Sequence, residues 1–195
     1  MDALFQDIMS VYSCQPPSTL RPSALLVTFV IALPHFLYAF IWFKPDQWRN
    51  LFPKNPVDAF ATAALIGKVL QFTAVLLWFA SLRPSGLCLD FSAISLLQWL
   101  AFLLLLCYGQ SLNIGIFQAI GHDGVYYGFK LGKVIPWVNG WPFDTVSHPQ
   151  YVGSVLSVWA MVALVWGQAP QAALVVLAGY WTLVYVVTAL QEQYL

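Results

Sequence analysis

Residues 23–43, SALLVTFVIALPHFLYAFIWF, contain no Asp, Glu, Lys or Arg. A helix needs about 20 apolar residues to cross the hydrocarbon core. Backbone placed in lipid must satisfy its own N–H and C=O groups, which leaves a helix as the form for a single run of this kind. The demand is met again at residues 57–81 and by the run that begins near residue 92 and continues to 120. Two more apolar runs, 151–166 and 172–190, are separated by GQAPQ, whose Gly167 and Pro170 mark a tight turn and predict a helical hairpin. Pro34 inside the first run predicts a kink.

Composition agrees. Only 8% of the 195 residues are charged, and mean hydropathy is +0.73, whereas a soluble domain carries about 25% charged residues. The expected fold is all-α, a polytopic integral membrane bundle of about four to five membrane helices with a glycine-rich loop on its cytosolic face. The chain divides into an N-terminal segment (1–22), three membrane helices (23–120), the glycine-rich loop (121–150) and a C-terminal helical hairpin (151–195).

Several functions are excluded at this level. Zero net charge argues against a basic nucleic-acid surface. Cys14, Cys88 and Cys107 are scattered without a CxxC pair, so neither a disulfide framework nor a metal site is expected. The start, MDALFQDIMS, has two aspartates and no basic region, which leaves the first span to serve as the insertion signal. Lys68 lies within the second span, but no acidic residue inside another span could complete a charge relay, so Lys68 is expected to snorkel or to pair with a neighbouring polar group. A small transporter or a non-enzymatic membrane adaptor would account for the hydrophobicity and for Lys68, but not for the polar motifs that follow.

The stretch AIGHDGVYYGFKLG sets Gly121, Gly124, Gly128 and Gly132 around Tyr126 and Tyr127, and Pro136, Gly140, Pro142 and Pro149 follow. Such a segment predicts irregular backbone, with Gly121 and Gly124 allowing close approach of a ligand and Gly128 and Gly132 serving packing. In SHPQYVGS, Pro149 suits the first helical position. Helix N-termini attract anions, and His148 can titrate near neutrality. Glu192 closes the last span, where the helix dipole favours cations rather than acids, and this suggests a cationic partner. Tyr126, Tyr127, Trp137, Trp141, Phe143 and Tyr151 suit a membrane interface, and aromatic faces beside a carboxylate also hold quaternary ammonium groups. Lys44, Arg49, Lys54, Lys130 and Lys133 fall in the two loops on one side, against Arg21 and Arg83 on the other, which places the glycine-rich side in the cytosol.

Taken together, AxGxxGxYxG, then WPFDTVSHPQYVGS, then LQEQ resemble the membrane phospholipid N-methyltransferases and, more distantly, the isoprenylcysteine carboxyl methyltransferases. GVYYG resembles in particular the phosphatidyl-N-methylethanolamine methyltransferases of plants and algae. The resemblance runs from about residue 103 to 193. It implies an endoplasmic-reticulum enzyme that moves methyl groups from S-adenosylmethionine to the amine headgroup of a phospholipid in the bilayer, ending at phosphatidylcholine. The family's GxG cofactor motif falls on Cys107, Tyr108 and Gly109, of which only Gly109 matches; its glutamate pair falls on Glu192 and Gln193, of which Glu192 matches. On this resemblance Glu192 and His148 are the expected catalytic residues. Cofactor contacts fall to Cys107, Tyr108, Gly109, Gly121, Gly124, His148, Glu192 and Gln193, and headgroup contacts to Tyr127, Tyr151 and Trp141. An isoprenylcysteine-type enzyme is the nearer alternative, but the arginine usual before its histidine is Ser147 here.

Overall fold

A computed structural model describes residues 22–194 apart from 84 and 137. The expectations placed on Cys14, Arg21, Trp137 and the segment 1–21 lie outside the described residues. Six helices make up the described chain: α1 (Ala24–Phe43), α2 (Pro45–Leu51), α3 (Pro56–Ser81), α4 (Leu96–Val125), α5 (Pro149–Leu164) and α6 (Gln171–Tyr194), with a 3-10 turn at Phe91–Ala93. By length and composition α1, α3, α4 and α6 can cross a membrane, and α5 is a shorter apolar helix.

Local chemistry explains the boundaries. Ser23 caps α1 by accepting from the Leu26 N–H, and Ser95 and Gln98 cap α4 reciprocally. Proline opens α2, α3 and α5, where its missing N–H costs no intrahelical bond. Pro34 is buried within α1 against Gly67 of α3, and the buried Gln71 side chain donates to the Ile31 carbonyl nearby. The same proline cannot bond the Val30 carbonyl, and Gln71 thus ties the α1 backbone to α3 beside that gap.

The packing falls into two pairs joined by one helix. The most extensive contact is α4 on α5; α3 packs on α1, and α6 packs on both α1 and α5. The α4–α5 contact is closed by glycines. A Cβ at Gly109 would fall 2.7 Å from the Gly153 carbonyl oxygen, and one at Gly153 would fall 2.5 Å from that of Gly109. Small residues let membrane helices approach this closely.

One end of the bundle gathers the lysine-rich connections. Trp48 of α2 and Leu131 share a buried cluster with Ile41, Val57, Phe60 and Tyr127. At the opposite end Arg83 donates to the carbonyls of Gly86, Cys88 and Gln168, tying the α3–α4 connection to the α5–α6 turn.

Three expectations need correction. The glycine-rich loop does not begin at residue 121: α4 continues to Val125, with Gly121 (φ 65°, ψ −175°) as a non-helical kink inside it. Glycine adopts positive φ without a steric penalty, so the helix can change direction there and resume for a turn. The segment PDQWRNL, read only as a connection, forms α2. Cys88 is disulfide-bonded, where the cysteine spacing gave no expectation of a disulfide framework; Cys107 is free.

Candidate active site

The irregular segment after α4 is pinned by one residue in an unusual backbone state. Tyr127 has φ 52°, the one positive φ at a non-glycine position among the described residues. This conformation is disfavoured for L-residues by roughly 1–2 kcal/mol and persists where surrounding structure holds it. Here the ring is buried among Tyr38 and Trp42 of α1 and Phe60 of α3. The following turn is closed by the Gly128 N–H donating to the Asp123 carbonyl at 2.7 Å. A Cβ at Gly128 would meet that same oxygen at 2.5 Å, so glycine is required for the turn.

That geometry delivers the Tyr127 hydroxyl to Glu192. Tyr151, in the first turn of α5, reaches the same place, and both phenols donate to Glu192 Oε1. The two hydroxyl oxygens lie 3.1 Å apart. The helix C-terminus disfavours a carboxylate at Glu192, and two phenolic donors offset this; a hydrogen bond to a charged group contributes about 1.5–3 kcal/mol. Burial first, and then the neighbouring carboxylate, raises the Tyr127 phenol well above its ordinary range, so it remains a donor. His148 stacks on Tyr151 with ring centroids 5.9 Å apart, and the Gln193 side chain acts on the same imidazole. Burial lowers the His148 pKa below its usual value and the Gln193 side chain opposes the shift, which favours a neutral imidazole near pH 7.

Five of the residues singled out from sequence therefore meet: Tyr127, His148, Tyr151, Glu192 and Gln193. Others stand elsewhere. Gly109 is committed to the α4–α5 contact, and Cys107 and Tyr108 on the same turn are exposed. Space at Gly124 is taken by the Ile120 side chain, whereas nothing lies within 4 Å of a Cβ built at Gly121. The indole of Trp141 lies over Gly115 of α4. Sequence reasoning passed over Tyr38, Trp42 and Phe60, which wall the site from the first two membrane helices. The spacing HFLYAFIW carried a signal, since Tyr38 and Trp42 are four residues apart on one helix face.

Residues 97–194 match the family model described as phospholipid methyltransferase. The chain belongs to the phospholipid methyltransferase family. All five clustered residues fall inside the matched region. The methyltransferase is also 33% identical over 144 residues to the phosphatidyl-N-methylethanolamine N-methyltransferase of Arabidopsis thaliana, a match covering 72% of this chain and 79% of that relative. The similarity thus extends beyond the half of the chain that the motifs marked. No solved structure matches the chain.

Family membership implies a methyl donor. Among the described residues no cation pairs with Glu192. The buried N–H groups of Trp42 and Gln191 have no partner there either. Trp42 meets Tyr127 edge to face, so an unfilled indole donor and aromatic rings stand beside the hydroxyl that reaches the Glu192 carboxylate.

Proposed function

We propose that this enzyme uses S-adenosylmethionine to methylate phosphatidyl-N-methylethanolamine and phosphatidyl-N,N-dimethylethanolamine, giving phosphatidylcholine. The observation that carries the reading is the convergence of Tyr127 and Tyr151 on Glu192, with His148 and Gln193 alongside. When bound, S-adenosylmethionine supplies a methyl group activated on a sulfonium. Glu192 and Gln193 hold its polar groups, and the open backbone at Gly121 admits close approach. The phenols of Tyr127 and Tyr151 fix the Glu192 carboxylate so that it need not reorganise as charge moves.

A protonated secondary or tertiary amine, with a pKa near that of lysine at about 10, must first lose its proton. Neutral His148 accepts it on a ring nitrogen and passes it to water at the rim. The aromatic faces of Tyr127 and Tyr151 hold the increasingly methylated nitrogen by cation–π attraction. Burial of the cluster under α1 and α3 excludes water from the methyl-transfer step.

The lysine-rich end then faces the cytosol in the endoplasmic reticulum. Loop charge favours this orientation, and the disulfide at Cys88, on the opposite end, fits an oxidising lumen. Microsomes expressing the chain, supplied with radiolabelled S-adenosylmethionine and each ethanolamine phospholipid in turn, test the reading. Label is expected in the lipid extract with the mono- and dimethyl acceptors. No label from any of the three acceptors defeats it.

A further inference from the structure

A cavity of about 570 Å³ lies between α3 and α4, with α5 and α6 as its floor. That is within the range of roughly 300–1,000 Å³ that ligand sites occupy. Most of its wall is apolar, running from Phe72 and Leu106 to Leu174 and Leu177. One region is different. Lys68, Gln110, Asn113, Ser154 and Ser157 bring polar groups to the same wall. Gln110 and Ser157 bond one another at 2.8 Å, and Lys68 is the one charged residue in the lining.

Lys68 stands twelve residues into α3, about 18 Å along its axis at 1.5 Å per residue, far from either helix end. Its ammonium donates to the Tyr185 hydroxyl at 2.6 Å, and no acidic side chain pairs with it among the described residues. An ammonium carries three N–H donors, so two have no described partner. A charge at this depth is costly and marks a ligand path when it faces a cavity.

Tyr185 connects this lysine to the cluster on α6. The Tyr185 ring lies 5.8 Å from that of Tyr151, whose hydroxyl donates to Glu192. From the cavity toward the lysine-rich end, the order is therefore apolar wall, cation, two aromatic faces, carboxylate. A phospholipid with an ethanolamine-type headgroup has the complementary order: acyl chain, phosphate anion, short linker, ammonium. We infer that this cavity is the binding site of the phospholipid substrate, with Lys68 as counter-ion to its phosphodiester and the acyl chain along the apolar wall. The inference rests on the proposed reaction and adds the lipid's position and its anionic anchor. Access is lateral, since α3 packs on α1 and α4 on α5, with no comparable packing between α3 and α4.

The test uses phosphatidyl-N-methylethanolamine carrying a diazirine on an acyl chain, and an analogue with the same chains and amine but an uncharged ether in place of the phosphate. Purified full-length protein is irradiated with each, and the labelled peptides are mapped. The phospholipid is expected to label α5 and α6 segments lining the cavity. Lys68→Met should reduce that labelling at least fivefold and Lys68→Arg should retain most of it, while the phosphate-free analogue labels wild type and Lys68→Met alike. In turnover, Lys68→Met should raise KM for the phospholipid about tenfold with little change in kcat, and S-adenosylmethionine affinity should stay unchanged. Should Lys68→Met not fold, Leu177→Trp, which fills the apolar wall, is expected to remove labelling by both probes. Labelling outside the cavity, or an equal loss with both probes in Lys68→Met, overturns the inference. Because labelling needs no turnover, a wild-type protein that labels as expected but methylates no acceptor refutes the proposed reaction while leaving the lipid site standing.

Discussion

Replacing Gly153 by alanine tests whether α4–α5 packing sets the geometry of the site. The new Cβ would lie 2.5 Å from the Gly109 carbonyl oxygen, where ordinary contact begins at 3.4 Å, leaving a deficit of about 0.9 Å against rigid backbone. The Asn113 side chain, at 3.0 Å from the same point, also blocks relaxation. Separating the helices by that amount is an overpacking defect of about 1–3 kcal/mol, equivalent to a fall in Tm of roughly 3–10 °C for a chain of this size. Gly153 lies within the second turn of α5, which starts at Pro149 beside His148 and carries Tyr151 to Glu192. Misplacement of reacting groups by about 1 Å can lower a rate about 100-fold. Thermal unfolding in detergent and methyl transfer from radiolabelled S-adenosylmethionine should therefore fall together, while cofactor affinity changes less than the rate. Gly179→Ala is the control: nothing stands within 4 Å of its Cβ, so rate and Tm should hold or Tm rise slightly. Gly153→Ala with wild-type rate and Tm would refute the packing argument and return Gly109 to a role in cofactor contact.

Glu192→Ala should abolish methyl incorporation and weaken S-adenosylmethionine binding while the protein still inserts; wild-type cofactor affinity in that variant would remove Glu192 from the site. Tyr127→Phe and Tyr151→Phe should each lower kcat/KM by about 10- to 100-fold, the loss of one hydrogen bond to a charged acceptor. Because both phenols share Glu192 Oε1, a double-mutant cycle should show non-additivity of at least 0.5 kcal/mol. Since burial lowers the His148 pKa, its imidazole stays neutral to a pH below the ordinary histidine value of 6.5. The acid limb of the activity profile should therefore have its midpoint below pH 6.5, a limb that His148→Gln removes. The unfolded chain binds that proton more readily, so stability should rise with pH between the lowered value and about 6.5 and level off above it.

Much of this structure was legible because lipid restricts the backbone so severely. Apolar runs placed α1, α3, α4 and α6 within a few residues at most boundaries, and Pro149 marked the start of α5. The site was legible where one residue type had few reasons to stand where it did: a lone Glu192 at a helix end, and His148 before proline. Glycines were harder, because their purpose depends on what lies opposite. Gly109 faces another glycine, Gly124 faces Ile120 and Gly121 faces open space, yet all three look alike in the sequence. The bond from Lys68 to Tyr185 joins residues 117 positions apart, and no local pattern announces it.

The division of the bundle into α1–α3 and α4–α5, each resting on α6, makes the last helix a spine and the line between α3 and α4 an unglued page edge. Asp58 and His122 bridge that edge at one end with a 4.0 Å contact, and Phe60 meets Tyr126 edge to face beside them. Durability and turnover therefore pull in opposite directions along a single seam. A substitution that zips α3 to α4 should make the protein harder to unfold and slower to exchange its lipid. A search for stabilised variants of this enzyme would do well to leave those two helices unstitched.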